Sequence, residues 1–244
     1  VTLAVLDDLM ENRLLSVLAP ADRDRLMPHL QAFDFENGAL LQRAGDDVIH
    51  TWFPCRPALA SFCVAADAGD VVEVAIIGWE GAVGGIVSNG QIPAYAMAQV
   101  RSAGRFLRIR TAALEQAKID SMHLRHWFAR YSDCLLAQVF QTAACNATHT
   151  IEQRACKWLL AASERTRSNE LQMTQEDFAG LLGVGRSFVN RTLRNLRREG
   201  IIDARRGTIV LKDRERLKHT ACGCSAAIES HFDEVLRGIY TLDR

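Results

Sequence analysis

The chain lacks any apolar run of about 18 residues, the length that a membrane-crossing helix requires, so no span is expected. No secretory leader is expected either. The opening VTLAVLDDLMENR places acids where a signal peptide carries bases, and the absence of an initiator Met fits a trimmed chain. A cytoplasmic setting is the resulting expectation. Paired CxxC knuckles are missing too. The seven cysteines, Cys55, Cys63, Cys134, Cys145, Cys156, Cys222 and Cys224, are odd in number and scattered. That pattern argues against a disulfide framework or a zinc site and for buried reduced thiols. The one close pair, Cys222-Gly223-Cys224, has no matching His/Cys pair nearby in the sequence, so neither metal nor cofactor is expected. Enzyme signatures are absent as well: there is no GxSxG, HExxH or P-loop. The stretch GWEGAVGG lacks the Lys-Ser/Thr that would make it a phosphate loop. The chain is therefore not expected to be an enzyme.

Net charge is the last absence, since 29 Lys/Arg balance 29 Asp/Glu over 244 residues. The balance hides an asymmetry. Residues 151–218 hold 15 Lys/Arg against 9 Asp/Glu, which leaves 14 against 20 elsewhere. A basic C-terminal module beside an acidic N-terminal one suits a nucleic-acid binder with a separate sensing or assembly part. The length accommodates one large or two ordinary domains, and 48% hydrophobic with 24% charged residues is the composition of a chain that buries a core.

Residues 12–30 read as short helices, LLSVLAP and then ADRDRLMPHL, with Leu26 and Leu30 at i,i+4. From Phe33 to about Ile109 the texture changes. Short apolar runs (HTWFP, ALASFCVA, VVEVAIIG, AYAMAQV) are divided by turn signals at AGDD (44–47), DAGD (67–70) and SNG (88–90). This spacing predicts a compact β-barrel or roll. Thr111 opens a helix. Then, from about Ser121 to Asn146, no Gly or Pro occurs, and Leu124, Phe128, Tyr131, Leu135, Val139 and Thr142 follow 3- and 4-residue steps. So long a stripe needs a partner. Packing on the chain's own domain is one reading. A seam with a second subunit is the other, because the spacing also suits a coiled-coil-like contact.

A further helix from Ile151 to about Arg165, with TRSNE as its polar exit, precedes LQMTQEDFAGLLGVGRSFVNRTLRNLRREGIIDARRGTIVLKD. Thr174 stands as an N-cap with Asp177 three residues on, close to a capping box. Phe178, Leu181 and Leu182 make one buried face, and Gly183 takes the sharp corner that needs positive φ. The second helix buries Val189, Leu193 and Leu196 and leaves Arg186, Ser187, Asn190, Arg191, Arg194 and Arg198 on the other side. Gly200 ends it, and IIDARRGTIVLKD forms a hairpin with Arg205-Arg206-Gly207 at the tip. The whole is a winged helix-turn-helix. The start of such a second helix meets base edges in the major groove, where Arg pairs with guanine and Asn with adenine. Thr174, Arg205 and Arg206 suit phosphates.

A strand-rich roll, a long helix and a winged helix bearing TQEDFAGLLGVGRSFVNRTLRNLRREGII resemble the Crp/Fnr-type bacterial transcription regulators, as do CLLAQVFQTAACNATHTIEQRACKWLL and the late ACGC. The resemblance implies an α+β chain in three parts. Residues 1–119 would be a sensor β-roll of cyclic-nucleotide-binding-like fold with N-terminal short helices, 120–149 a dimerisation helix, and 150–244 the winged helix-turn-helix with a C-terminal tail. It implies a homodimer on a two-fold-related site in double-stranded DNA, with RNA polymerase and an unidentified small-molecule effector as further candidate partners. It places Arg186, Ser187 and Arg191 at base-contacting positions. Ser187 departs, because regulators of the cyclic-AMP type carry Glu there.

The sensor departs further. Positions that hold a Gly-Glu pair and an Arg-Ser/Thr-Ala stretch in cyclic-nucleotide binders fall here on Val83-Gly84 and Ala94-Tyr95-Ala96. The positions that meet the base on the long helix fall on Val139 and Phe140. Neither the Glu nor the Arg is present, and a cyclic phosphate without Arg loses its strongest charge-assisted bond. Gly84, Ala94, Tyr95, Val139 and Phe140 thus line a degenerate pocket, with Glu80 nearby but offset. A receptor for another second messenger, such as a cyclic dinucleotide, and a constitutive architectural DNA binder are the alternatives. Haem ligation by His50, His123, His126 or His149 has only lone histidines to draw on. Cys134 and Cys145, 11 apart on one helix, offer a redox switch across a seam.

Overall fold

The computed structural model describes residues 2–66, 71–86 and 92–240. The turn signals at 67–70 and 88–90 lie outside the described residues. Three short helices, α1 (Leu6–Met10), α2 (Arg13–Ser16) and α3 (Pro20–Leu26), follow a two-residue strand β1 (Thr2–Leu3). Seven strands build the roll: β2 (Gln31–Phe35), β3 (Leu40–Gln42), β4 (His50–Pro54), β5 (Leu59–Ala65), β6 (Val71–Ile77), β7 (Met97–Ser102) and β8 (Gly104–Arg110). They form two antiparallel sheets, ordered β1-β2-β8-β4 and β3-β7-β5-β6.

The first sheet is covered on both faces, so its central strands are apolar on both sides rather than alternating. Phe53 and Leu107 face the helices, while Trp52 and Phe106 face the roll interior. Asn12 ties the short helices down. It is fully buried, caps α2 through Leu14 N–H, and donates to the carbonyls of Pro54 and Gly81, both at 2.9 Å.

Helix α4 (Thr111–Asp120) leads to α5 (Met122–Thr148), which Ser121 caps. Here the structure decides between the two readings of the stripe. Leu124, Phe128 and Tyr131 are fully buried in the chain's own core, under the first sheet. Leu135 and Val139 rest half-buried on the roll interior, and Thr142 is half-buried. Tyr131 Oη accepts from Ala82 N–H at 2.8 Å and donates to Ala82 C=O at 3.0 Å. Leu124, Phe128 and Tyr131 hold α5 to its own roll. The outward face is instead Ala129, Leu136, Phe140, Ala143 and Ala147, with Leu136 49% and Phe140 64% exposed.

The C-terminal module comprises α6 (Ile151–Thr166), β9 (Glu170–Gln172), α7 (Gln175–Leu182), α8 (Arg186–Arg198), β10 (Ile202–Arg205), β11 (Thr208–Leu211) and α9 (Arg214–Thr220). Its sheet is three-stranded, β10-β11-β9, and the third strand comes from the segment read as a polar exit. Helix α10 (Cys224–Val235) corrects the idea of a trailing tail. Ile228, Phe232 and Leu236 pack into the core shared by α5 and the short helices. The two halves also meet directly. Trp158 donates to Glu73 at 2.6 Å, and Arg165 pairs with Glu80 at 2.7 Å. Among the described residues, no helix is long and apolar enough to cross a membrane.

Candidate nucleic-acid interface

The helix-turn-helix is built as its sequence dictates. Thr174 caps α7 with a complete capping box: its hydroxyl accepts from Asp177 N–H at 3.1 Å and donates to Asp177 Oδ2 at 2.5 Å. Gly183 ends α7 at φ +62°, a conformation that costs any side chain energy. Val184 N–H reaches back to Ala179, and Gly185 starts α8. Val189, Leu193 and Leu196 are buried against Phe178 and α6. With that face fixed, the helical period turns Arg186, Ser187, Arg191, Arg194 and Arg198 to solvent. Arg186 lies 4.0 Å from Glu176, while Arg191, Arg194 and Arg198 form no ion pair among the described residues.

Two expected contacts look different in three dimensions. Asn190 is half-buried, and its Oδ1 is shut from solvent without a partner, so it does not share the open face of its neighbours. The Thr174 hydroxyl is engaged by Asp177, and Glu176 and Asp177 make that helix start acidic, which disfavours a phosphate there. The wing keeps its basic tip: Arg205 and Arg206 are exposed, with Arg205 3.1 Å from Asp203. Sequence reasoning missed Phe188. It is 44% exposed at the start of α8, with the Arg191 guanidinium 5.2 Å over its ring. Its signal was an aromatic out of phase with Val189, Leu193 and Leu196. An exposed ring at this place suits a thymine methyl.

The sensor positions are only partly gathered. Gly84 has φ +76°, and a Cβ there would stand 2.7 Å from the His50 carbonyl, so no side chain fits. Ala94 is buried and exchanges backbone hydrogen bonds with Gly45 and Asp46, while Gln42 donates to the Ala96 carbonyl at 2.8 Å. Tyr95, 87% exposed, points away, and Phe140 is on the outer face of α5, so neither lines a pocket. Val139 packs on the roll interior, which Phe33, Phe35, Trp52 and Phe106 fill with edge-on aromatic contacts. Glu80 is committed to Arg165 and is not free for a ribose. His50 is shifted below its ordinary range by burial, with Arg108 and Arg110 adding to the shift. His123 and His126 are exposed on α5.

The cysteines give the main correction. Cys134 is buried in the N-terminal core, away from any seam. Cys222 and Cys224 do have a His/Cys pair beside them, because the chain returns α10 to the end of α5. Cys145, His149, Cys222 and Cys224 bring one donor atom each to within 4.8 Å of one another.

Residues 153–220 match the family described as Crp-like helix-turn-helix domain. No curated protein matches the chain in sequence. Solved structures are similar in fold. A transcriptional regulator of the crp/fnr family from Eubacterium rectale aligns over 85% of this chain and 97% of its own, with a TM-score of 0.66 at 18% identity. FixK2 from Bradyrhizobium japonicum aligns over 79% and 98%, at 0.65 and 16%. The c-di-GMP responsive global regulator CLP from Xanthomonas campestris aligns over 79% and 99%, at 0.64 and 17%. The chain thus carries a Crp-like helix-turn-helix domain, joined to a roll and long helix in the fold of the Crp/Fnr-type transcription regulators.

Proposed function

We propose that the protein is a sequence-specific DNA-binding transcription regulator that acts as a homodimer on a two-fold-related site. The observation that carries this reading is the divided face of α8: Val189, Leu193 and Leu196 lock one side, and Arg186, Ser187, Arg191 and Arg194 are left open beside the Arg205-Arg206 wing. Arg186 and Arg191 read bases, Phe188 meets a thymine methyl, and Arg205 and Arg206 hold phosphates. The division of labour follows the chain. The roll of residues 1–119 senses, the helix of 120–149 pairs, and the module from residue 150 binds DNA, with α10 returned to the roll. Pairing uses the outer face of α5, where Ala129, Leu136, Phe140, Ala143 and Ala147 recur at a near-heptad spacing.

The roll keeps its shape without the charged pair that a cyclic phosphate requires. Its interior is aromatic, Glu80 is bound to Arg165, and Gly84 and Ala94 offer backbone only. Control by cyclic AMP is therefore not proposed, and saturable binding of cyclic AMP in calorimetry would overturn this. The main test is footprinting on a genomic fragment pool without added ligand, at two salt concentrations. A salt-sensitive symmetric footprint of roughly 20–25 base pairs, two half-sites about one helical turn apart, is expected. Protection without sequence preference would instead favour an architectural role.

A further inference from the structure

We propose that Cys145, His149, Cys222 and Cys224 bind one zinc ion that pins the joint between the long helix and the DNA-binding module. Cys145 and His149 are four residues apart at the end of α5, so both face the same way. Cys222 and Cys224 flank Gly223 in the turn from α9 to α10. Nothing crowds Gly223, which leaves the turn free to present both thiols.

Two of the donor–donor distances match the edges of a coordination tetrahedron, and all four donors lie within 4.8 Å of one another. Cys145 Sγ is 3.6 Å from Cys222 Sγ, and Cys224 Sγ is 3.6 Å from His149 Nδ1. Zinc–sulfur bonds of about 2.3 Å and zinc–nitrogen bonds of about 2.0–2.1 Å at tetrahedral angles set these edges at about 3.8 and 3.6 Å. A disulfide would need the sulfurs at about 2.05 Å. A four-iron cluster binds one thiolate outside each iron corner of its cube, which sets the ligands further apart than the 4.8 Å that encloses all four donors here. Three soft thiolates and an imidazole with no open position describe a structural zinc site rather than a catalytic one.

The surroundings suit such a site. The three cysteines are buried and form a satellite cluster of their own, separate from the apolar cores. Gln141 Nε2 donates to Cys224 Sγ at 3.2 Å, the kind of outer hydrogen bond that orients a metal ligand. With three thiolates, the zinc site would carry a net charge of −1. The cationic side chains of Arg154 and Lys157 act on Cys145 from α6, and Arg154 also acts on Cys222. Two ligands come from the end of α5, at its junction with α6, and two from the turn between α9 and the helix that packs on α5. An ion here fastens the end of the DNA-binding module to the long helix. This inference does not depend on what the module binds.

The test is the metal content of the full chain purified from zinc-supplemented medium. One zinc per chain, released by a mercurial thiol reagent and read with a pyridylazo chromophore, is expected. Exchange for cobalt(II) should give thiolate-to-metal charge transfer and the intense visible bands of a tetrahedral ion. Cys222→Ser and Cys224→Ser should each lose the metal. Cys63→Ser, in the roll beside Ser61 and Arg101, should keep it. Absence of zinc with no tetrahedral cobalt spectrum, iron–sulfur absorption, a Cys145–Cys222 disulfide in freshly isolated protein, or full metal in the Cys222 and Cys224 variants would each overturn the assignment. The cobalt spectrum needs only the unaltered chain, so unstable variants do not blunt the test.

Discussion

At the scale of single residues, Gly183 carries two constraints at once. The corner between α7 and α8 needs its φ of +62°, and a Cβ there would stand 3.0 Å from Val72 Cγ1 on the roll. Gly183→Ala should lower stability by about 1–2 kcal/mol from backbone strain alone, and urea unfolding measures it. An unchanged midpoint would mean that the turn has a relaxed alternative. Arg186→Ala and Arg191→Ala should each cost roughly 1–3 kcal/mol of DNA affinity and relax specificity, whereas Arg205→Ala should weaken all sequences alike and flatten the salt dependence. Titrations against specific and random duplexes separate the two kinds of loss. Much of this site was legible because it is local: Thr174, Gly183 and the Val189–Leu193–Leu196 stripe depend on neighbours within a few residues. Burial of Asn190 Oδ1 and capture of the Thr174 hydroxyl by Asp177 depend on packing, which the sequence does not display. No sequence spacing places Cys145 beside Cys222, since the return of α10 alone brings them together.

At the scale of elements, α5 shows why a helix is easier to read than its partner. Freedom from Gly and Pro announced the helix, and the structure extends it over Met122–Thr148. Its apolar residues occupy more than one face, however, and a step of three or four does not say which face meets the protomer and which a second chain. The inner face took the large residues, Phe128 and Tyr131, because the first sheet and α10 enclose it on both sides. Phe128→Ala should therefore cost about 3–5 kcal/mol of protomer stability, as a cavity in a closed core does. Leu136→Glu combined with Phe140→Glu should leave the protomer folded but shift dimers to monomers in sedimentation velocity, because it places charge on the outer face. A double variant that stays dimeric would move the seam elsewhere.

At the scale of the whole molecule, the roll and the DNA-binding module share a buried polar seam with a titratable carboxyl in it. Glu73 on β6 is wholly enclosed and accepts from Trp158 on α6, while its second oxygen has no partner. Burial pushes its carboxyl up to about 7, against the pull of Arg101, the Trp158 hydrogen bond and Lys157. In the unfolded chain the same carboxyl ionises near 4.5. Between those two values the folded protein holds a proton that the unfolded chain has released. Stability contributed by this group is therefore complete below pH 4.5, falls as pH rises, and levels off above about 7. Glu73→Gln keeps an acceptor for Trp158 and removes the titration. The urea midpoint of the natural chain, taken relative to that variant, should decline across the window and be flat above it. Opening of the seam should follow the same curve, read as Trp158 fluorescence in a variant lacking the other tryptophans, Trp52, Trp79 and Trp127. A difference that is level from pH 4.5 upward would mean that Glu73 ionises in its ordinary range, with water reaching the seam.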